Sequence, residues 1–291
     1  MSVFNIVKLI LLSIIWSLGY VFMKNVVPHL GAIWTADLRF LLGGVILFIY
    51  LKFTKKNFYF KENWKKYLIL GVLNLAIPIS IVSLSLLYIP VSYATIINSL
   101  TPLFGVLSSA VFLKERINFN QILGMFFGFS GVFFIVNKPP PSSDYQTFII
   151  GIVCCLIGSL CFALAGVYIK SNTKGVDPYS MAACSQLFAA LVMFPIGLFK
   201  LPTRFFEFDI ITNLLALGIL GSALGYIIYY NLMIEIGPAK TLTIMFLIPF
   251  FGMIWSILFF NEAIHAPMVL GCVLVLLGTF FVNKSPNKKL A

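Results

Sequence analysis

Charge is what this 291-residue chain has least of. Ten per cent of its residues are charged and only nine are acidic, against sixty per cent hydrophobic residues and a mean hydropathy of +1.03. No soluble domain of this length needs so much apolar surface to fill a core, so the composition places the chain in a membrane. His29 and His265 are loop residues without ligand spacing, and Cys154, Cys155, Cys161, Cys184 and Cys272 form no CxxC pair. Metal and redox chemistry are therefore not expected. There is no P-loop, no stretch outside the apolar runs long enough for a soluble catalytic or nucleic-acid-binding module, and no cluster of His, Asp or Glu at one depth for lipid chemistry. No enzyme, cofactor or nucleic-acid partner follows, and nothing here would couple the chain to ATP hydrolysis. No carboxylate is expected deep in the bundle, which weakens an obligatory proton relay.

Apolar runs are what the chain has instead. Crossing a hydrocarbon core takes about 20 helical residues, and ten segments qualify: Val3–Met23, Ile33–Phe53, Tyr67–Leu87, Ser92–Leu113, Phe119–Val136, Phe148–Ile169, Tyr179–Phe199, Ile211–Tyr230, Pro238–Phe260 and Pro267–Val282. The first lacks a small-residue cleavage site and is expected to be retained. Of the twenty Lys and Arg, fifteen fall on the side of the amino terminus, four (Lys24, Lys138, Lys200 and Arg204) fall opposite, and Arg39 lies within a span. Short cytoplasmic loops carry the positive charge, so both termini are expected to be cytoplasmic, with Asn57 inside and Ser143 and Thr203 outside. The basic balance thus reflects topology and attraction to the lipid surface.

The second half repeats the first. At an offset of 147, Leu68 to Ile135 lies over Leu215 to Val282 without a gap, with Gly71/Gly218, Pro102/Pro249, Gly105/Gly252, Glu115/Glu262, Gly124/Gly271 and Gly131/Gly278 identical. At an offset one shorter, Ser13, Trp16 and Lys24 fall over Ser159, Phe162 and Lys170. Five spans per half is odd, so the second copy enters the membrane inverted. The expected architecture is an all-α membrane protein of ten transmembrane helices in two inverted five-helix repeats, 1–137 and 146–283. A stiff Pro-rich linker, Asn137–Tyr145, joins them, and residues 284–291 form a basic cytoplasmic tail. Repeats of this kind mark transporters with a site between the copies.

Ser13-Ile-Ile-Trp16-Ser-Leu-Gly-Tyr-Val-Phe22 followed by Lys24, Leu38-Arg39-Phe40, and Ser92 through Pro102-Leu-Phe-Gly105 running into Leu113-Lys-Glu115-Arg116 and Leu123-Gly124 resemble the drug/metabolite transporter superfamily, EamA type. Phe246-Leu-Ile-Pro249-Phe-Phe-Gly252, Asn261-Glu262 and Leu270-Gly271 repeat the likeness. The resemblance implies two inverted five-helix repeats carrying small metabolites, often amino acids, commonly outward. An uptake or exchange carrier for a nucleoside-like or cofactor-like molecule is the alternative, and a non-transporting scaffold a third. Two departures, Ala263 for Arg116 and Phe162 for Trp16, make the halves unequal.

Helix breakers at matching positions point to a transporter's site. Pro102 and Pro249 each remove an amide mid-span, which would free the carbonyls of Asn98 and Met245. Pro78 and Gly225 make a second matched weak point. All four are read as gating or hinge positions. Polar stripes should face the interior: Ser13, Trp16, Ser17, Tyr20 and Lys24 on the first helix; Ser222, Tyr226, Tyr229 and Tyr230 on the eighth; Asn74 and Ser85 around Pro78; Asn98 beside Pro102. Trp16, Tyr20, Asn74, Asn98, Tyr226 and Tyr230 are the expected substrate contacts, suited to a small amphipathic metabolite. Trp34, Trp64 and Tyr67 read better as an interfacial belt. Asp37 and Arg39, two apart on a helix, need separate partners. Asp37 is expected to meet Lys24, and Arg39 a helix-end carbonyl or a substrate carboxylate. Lys170 is the counterpart of Lys24 or a snorkelling anchor. Glu115, Glu235 and Glu262 are expected in caps or gates. Gly124, Gly128, Gly131, Gly271 and Gly278 suit close helix packing and a homodimer contact.

Overall fold

The computed structural model describes residues 2–54, 59–137, 139, 144–202, 207–241 and 243–284. Asn57, Ser143, Thr203, most of the Pro-rich linker and the tail beyond Lys284 lie outside the described residues. Within hydrocarbon an amide has no water to bond, so a spanning chain must satisfy its own backbone, and it does so as helix. Among the described residues there is no strand.

The helices run α1 (Val3–Phe53), α2 (Phe60–Leu70), α3 (Ile77–Ser85), α4 (Val91–Asn98), α5 (Thr101–Phe112), α6 (Phe119–Val136), α7 (Tyr145–Asn172), α8 (Pro178–Gly197), α9 (Phe208–Ala216), α10 (Gly225–Ile236), α11 (Pro238–Thr241), α12 (Ile244–Phe260) and α13 (Ala266–Asn283). Two π-helical segments, Gly71–Ala76 and Leu217–Leu224, join α2 to α3 and α9 to α10. Eight continuous helical stretches are long and apolar enough to cross a membrane, and α12 is a shorter apolar helix of 17 residues. Starts are set by side-chain caps. Asn118 and Gln121 form a reciprocal capping box on α6, and Asp144 and Asp177 accept from Thr147 and Ser180 at the heads of α7 and α8.

A straight helix of 51 residues would reach roughly 76 Å, more than twice a hydrocarbon core. α1 is instead two arms divided at Gly31, whose φ of 78° and ψ of 164° are non-helical. That left-handed φ suits a residue without Cβ.

Matching positions of the two halves behave alike in several places. The π segments contain the Gly71/Gly218 pair. Lys114 and Asn261, also counterparts, both adopt positive φ, 54° and 50°. The amides that follow them close equivalent turns, Glu115 to the Ser109 carbonyl at 3.4 Å and Glu262 to that of Ser256 at 3.2 Å. α6 and α13 meet glycine to glycine. A Cβ on Gly124 would lie 2.6 Å from the Gly278 carbonyl and one on Gly131 2.6 Å from that of Gly271, and the reverse contacts are as close. These glycines therefore bring the two helices of one chain into close backbone contact.

Some expectations need correction. Of the interfacial aromatics only Trp64 is exposed. Tyr67 is fully buried, and Trp34 is buried with its indole donating to the carbonyls of Gly197 and Lys200 at 2.9 and 3.0 Å, which closes the end of α8. The fourth segment is interrupted after Asn98, so Pro102 occupies the first turn of α5, where a missing amide costs nothing. Pro249 sits inside α12. The Asn98 carbonyl is not free either, because the Thr101 hydroxyl donates to it at 2.7 Å.

Candidate substrate site between the halves

The first arm of α1 carries Ser13, Trp16, Ser17, Tyr20, Met23 and Lys24, and each reaches the interior or its edge. The Trp16 indole donates to the carbonyl of Gly221 at 3.2 Å, inside the π segment, and its ring lies 5.9 Å from Tyr226 and 5.3 Å from Tyr229. Gly225 makes this possible. A Cβ there would stand 2.6 Å from the indole nitrogen, so the residue expected as a hinge leaves room for Trp16. One turn further on, the Asn98 amide donates to the Tyr20 hydroxyl at 2.6 Å, and Ser159 donates to the Asn98 amide oxygen at 3.1 Å. The Trp255 indole donates to Ser17 at 2.9 Å. Trp16, Tyr20, Asn98 and Tyr226 thus occupy one neighbourhood built from α1, α4 and α10.

Tyr226 continues into a chain of rings: Tyr230 at 6.1 Å, then Tyr179 at 6.0 Å from Tyr230, then Tyr50 at 6.2 Å from Tyr179. The Tyr179 hydroxyl bonds the amide oxygen of Asn231. Asn74 is half-buried in the π segment before α3, which packs on α8 and α7; Pro78 is buried in the first turn of α3. A groove of about 440 Å³ lies elsewhere. Its walls are the apolar side chains of Phe48, Phe60, Cys184, Leu187, Phe188 and Leu191, so it lacks the polar groups that orient a solute.

The second arm of α1 brings the charges. Gly43 lies against Gln186 and Ser222, where a Cβ would be 2.4 Å from each. One turn earlier, Arg39 donates through Nε to the Ser222 hydroxyl at 2.8 Å and through Nη1 to the Met23 sulfur at 3.5 Å. Gln186 donates to the Ser222 carbonyl at 3.3 Å. Asp37 does not meet Lys24. It is buried, and neither carboxylate oxygen has a hydrogen-bond partner among the described residues. A carboxylate therefore does lie in the interior.

Lys24 takes another partner. Its ammonium donates to the Ile89 carbonyl at 3.0 Å and sits 3.6 Å from Glu262. Glu262 also accepts from Ser92 at 3.3 Å and from Ser256. Burial pushes the Glu262 carboxyl up from its ordinary pKa, against the pull of the Lys24 ammonium and the Ser92 hydroxyl. Lys170, the counterpart of Lys24, pairs at 2.6 Å with Glu115, the counterpart of Glu262. Each lysine of one half therefore grips the glutamate of the other. A third pair, Lys8 to Glu235 at 2.7 Å, ties the start of α1 to the end of α10. The signal for the crossed pairs was present in the repeat, since both lysines and both glutamates recur, but partnership across 238 residues is decided by folding. Trp255, Gln186 and Met23 gave no comparable signal.

An all-helical bundle of long apolar spans, holding polar side chains inward between its two halves, defines a multi-pass membrane protein. The model of the EamA-like transporter family matches residues 3–137 and again residues 149–284. The chain belongs to that family, and it is a membrane transporter. Similar proteins include the uncharacterized transporter YoaV of Bacillus subtilis, 24% identical with 94% of each chain covered. Others are an uncharacterized transporter of Archaeoglobus fulgidus, 23% identical over 92% of this chain and 94% of its own, and YvbV of Bacillus subtilis, 24% identical over 96% and 92%. A solved crystal structure only 15% identical matches the fold with a TM-score of 0.67, covering 97% of this chain and 96% of that one.

Proposed function

We propose that the chain is a secondary carrier that exports a small amphipathic metabolite across the cytoplasmic membrane by alternating access. It does so as ten spans in two inverted repeats, 1–137 and 146–283, with both termini cytoplasmic. α1 then counts as two spans, one on each side of Gly31, and α11 with α12 as one. Trp16, Tyr20, Asn98, Tyr226 and Tyr230 line the path, and Asn74 faces it in the working cycle.

The observation that carries this reading is the crossed pair of salt bridges. In this topology Lys24 and Glu262 stand at the outer mouth and Lys170 and Glu115 at the inner one, so one ion pair closes each end. Because each pair joins one half to the other, rocking the halves about the site strains one pair as it relieves the other. Proteoliposome counterflow with a panel of metabolites tests the function. Saturable exchange of at least one solute is expected, and its absence across the panel in reconstituted, folded protein would sink the carrier reading.

A further inference from the structure

All nine side-chain carboxylates of the sequence lie among the described residues, and three of them take the cations Lys8, Lys24 and Lys170. None lies within ion-pair distance of Arg39, although its side chain is only 8% exposed. Arg39 is about 12 Å along its helix from the Gly31 bend, most of the way to the midplane of a core roughly 30 Å thick. A guanidinium cannot shed its proton to escape such a place. Holding it there without a counter-ion is costly, because neither water nor an opposite charge offsets its desolvation. Its hydrogen bonds do not supply the missing charge. One goes to a neutral hydroxyl and one to a thioether, a weak acceptor. Among the described residues no helix-end carbonyl accepts from it.

Gly221 packs against the guanidinium, where an added Cβ would be 3.4 Å from Nη2, so no side chain from that position covers the fork. The Tyr20 and Tyr226 hydroxyls lie within its electrostatic reach, and Trp16 spans from Gly221 to the Tyr226 ring. An unbalanced cation near these aromatic residues is complementary to a small molecule with one anionic group and an apolar body. A planar carboxylate fits the fork of an arginine in the bidentate manner.

We propose that Arg39, steadied by Ser222, binds the carboxylate of the transported solute, and that the cargo is a small organic monocarboxylate whose body rests on Trp16 and Tyr226. This rests on the carrier reading and names the class of its substrate. Counterflow in proteoliposomes of the full chain provides the test. It uses labelled aromatic and aliphatic monocarboxylates, each paired with its neutral amide, beside a panel of neutral and cationic metabolites. The wild type is expected to exchange at least one carboxylate at least about tenfold faster than its amide. Arg39→Gln should remove that preference, and Arg39→Lys, which keeps the charge without the fork, should restore part of it. Monodispersity and an unchanged melting temperature identify variants that remain folded. If Arg39→Gln does not fold, Ser222→Ala, which loosens the guanidinium, should lower the carboxylate preference in its place. Exchange of neutral or cationic solutes with no carboxylate preference, or a preference that survives Arg39→Gln or Ser222→Ala within twofold, overturns the proposal and leaves the carrier reading standing. No exchange of any solute overturns both.

Discussion

Gly225 and Trp16 show how one absent methyl shapes the interior. The indole nitrogen occupies the place where a Cβ would be, so Gly225→Ala should displace the ring and break its bond to the Gly221 carbonyl. Overpacking of this kind costs about 1–3 kcal/mol. A lower melting temperature together with shifted tryptophan emission is expected, and unchanged emission would mean that the ring does not stand there. Asp37 predicts the opposite sign. Among the described residues its two buried carboxylate oxygens have no partner, and a buried unsatisfied polar group costs about 1–3 kcal/mol, more when charged. Asp37→Asn should therefore raise the melting temperature by a few degrees. A clear fall would show that the carboxylate serves an interaction in another state of the cycle.

Among elements, α6 and α13 pack tightly, because paired glycines bring backbone against backbone. Gly131→Ala would place its methyl 2.6 Å from a carbonyl oxygen that cannot swing aside, so the helices must separate. Gly105 was legible in the sequence only as the twin of Gly252, and the fold treats the two differently. Among the described residues a Cβ on Gly105 meets nothing within 4 Å, whereas one on Gly252 would stand 2.3 Å from the Thr95 hydroxyl. Thermal melts in detergent should find Gly131→Ala and Gly252→Ala destabilised by about 1–3 kcal/mol, with Gly105→Ala within about 0.5 kcal/mol of the parent. Equal melting temperatures for all three would refute the packing argument. Pro102 and Pro249 illustrate the same divergence, since identical residues at equivalent positions begin one helix and lie inside another.

For the whole molecule the decisive objects are the two crossed ion pairs. An exposed pair contributes about 0.2–1 kcal/mol, which suits a gate that must open, while the more buried Lys24 and Glu262 lose more when separated. Glu262→Gln should favour the state open to the outside and Lys170→Gln the state open to the inside. Labelling of Ser17→Cys in a background free of native cysteines, with an impermeant reagent on either side, should move in opposite directions. Movement in the same direction would end the gate reading. Acidification should mimic Glu262→Gln. The carboxylate is charged and paired at high pH, and protonation loosens the pair as pH falls. Because burial raises its pKa, loosening should begin above the pH near 4.3 at which an ordinary glutamate titrates. Outer accessibility that does not respond to falling pH until the ordinary glutamate range would contradict this.

Local chemistry made much of the fold readable in advance. Hydrocarbon forces each span to close its own hydrogen bonds, so apolar runs located most of the helical stretches, α6 at the very bounds expected, although the stretch holding Tyr67 begins at Phe60, that holding Tyr230 runs on to Ile236, and the first two runs form one helix bent at Gly31. The repeat announced some of the residues that behave alike, such as Lys114 and Asn261, and polar stripes marked Trp16, Tyr20, Asn98 and Tyr226 as inward. Partnership was another matter. Asp37 looked like the mate of Lys24 near the outer mouth, yet Lys24 bonds a glutamate 238 residues away and Asp37 bonds nothing among the described residues. Charge pairing, the room left by Gly225 and the isolation of Arg39 depend on how the two halves pack against each other. That register is set by side-chain volume across the whole bundle, which no single segment contains.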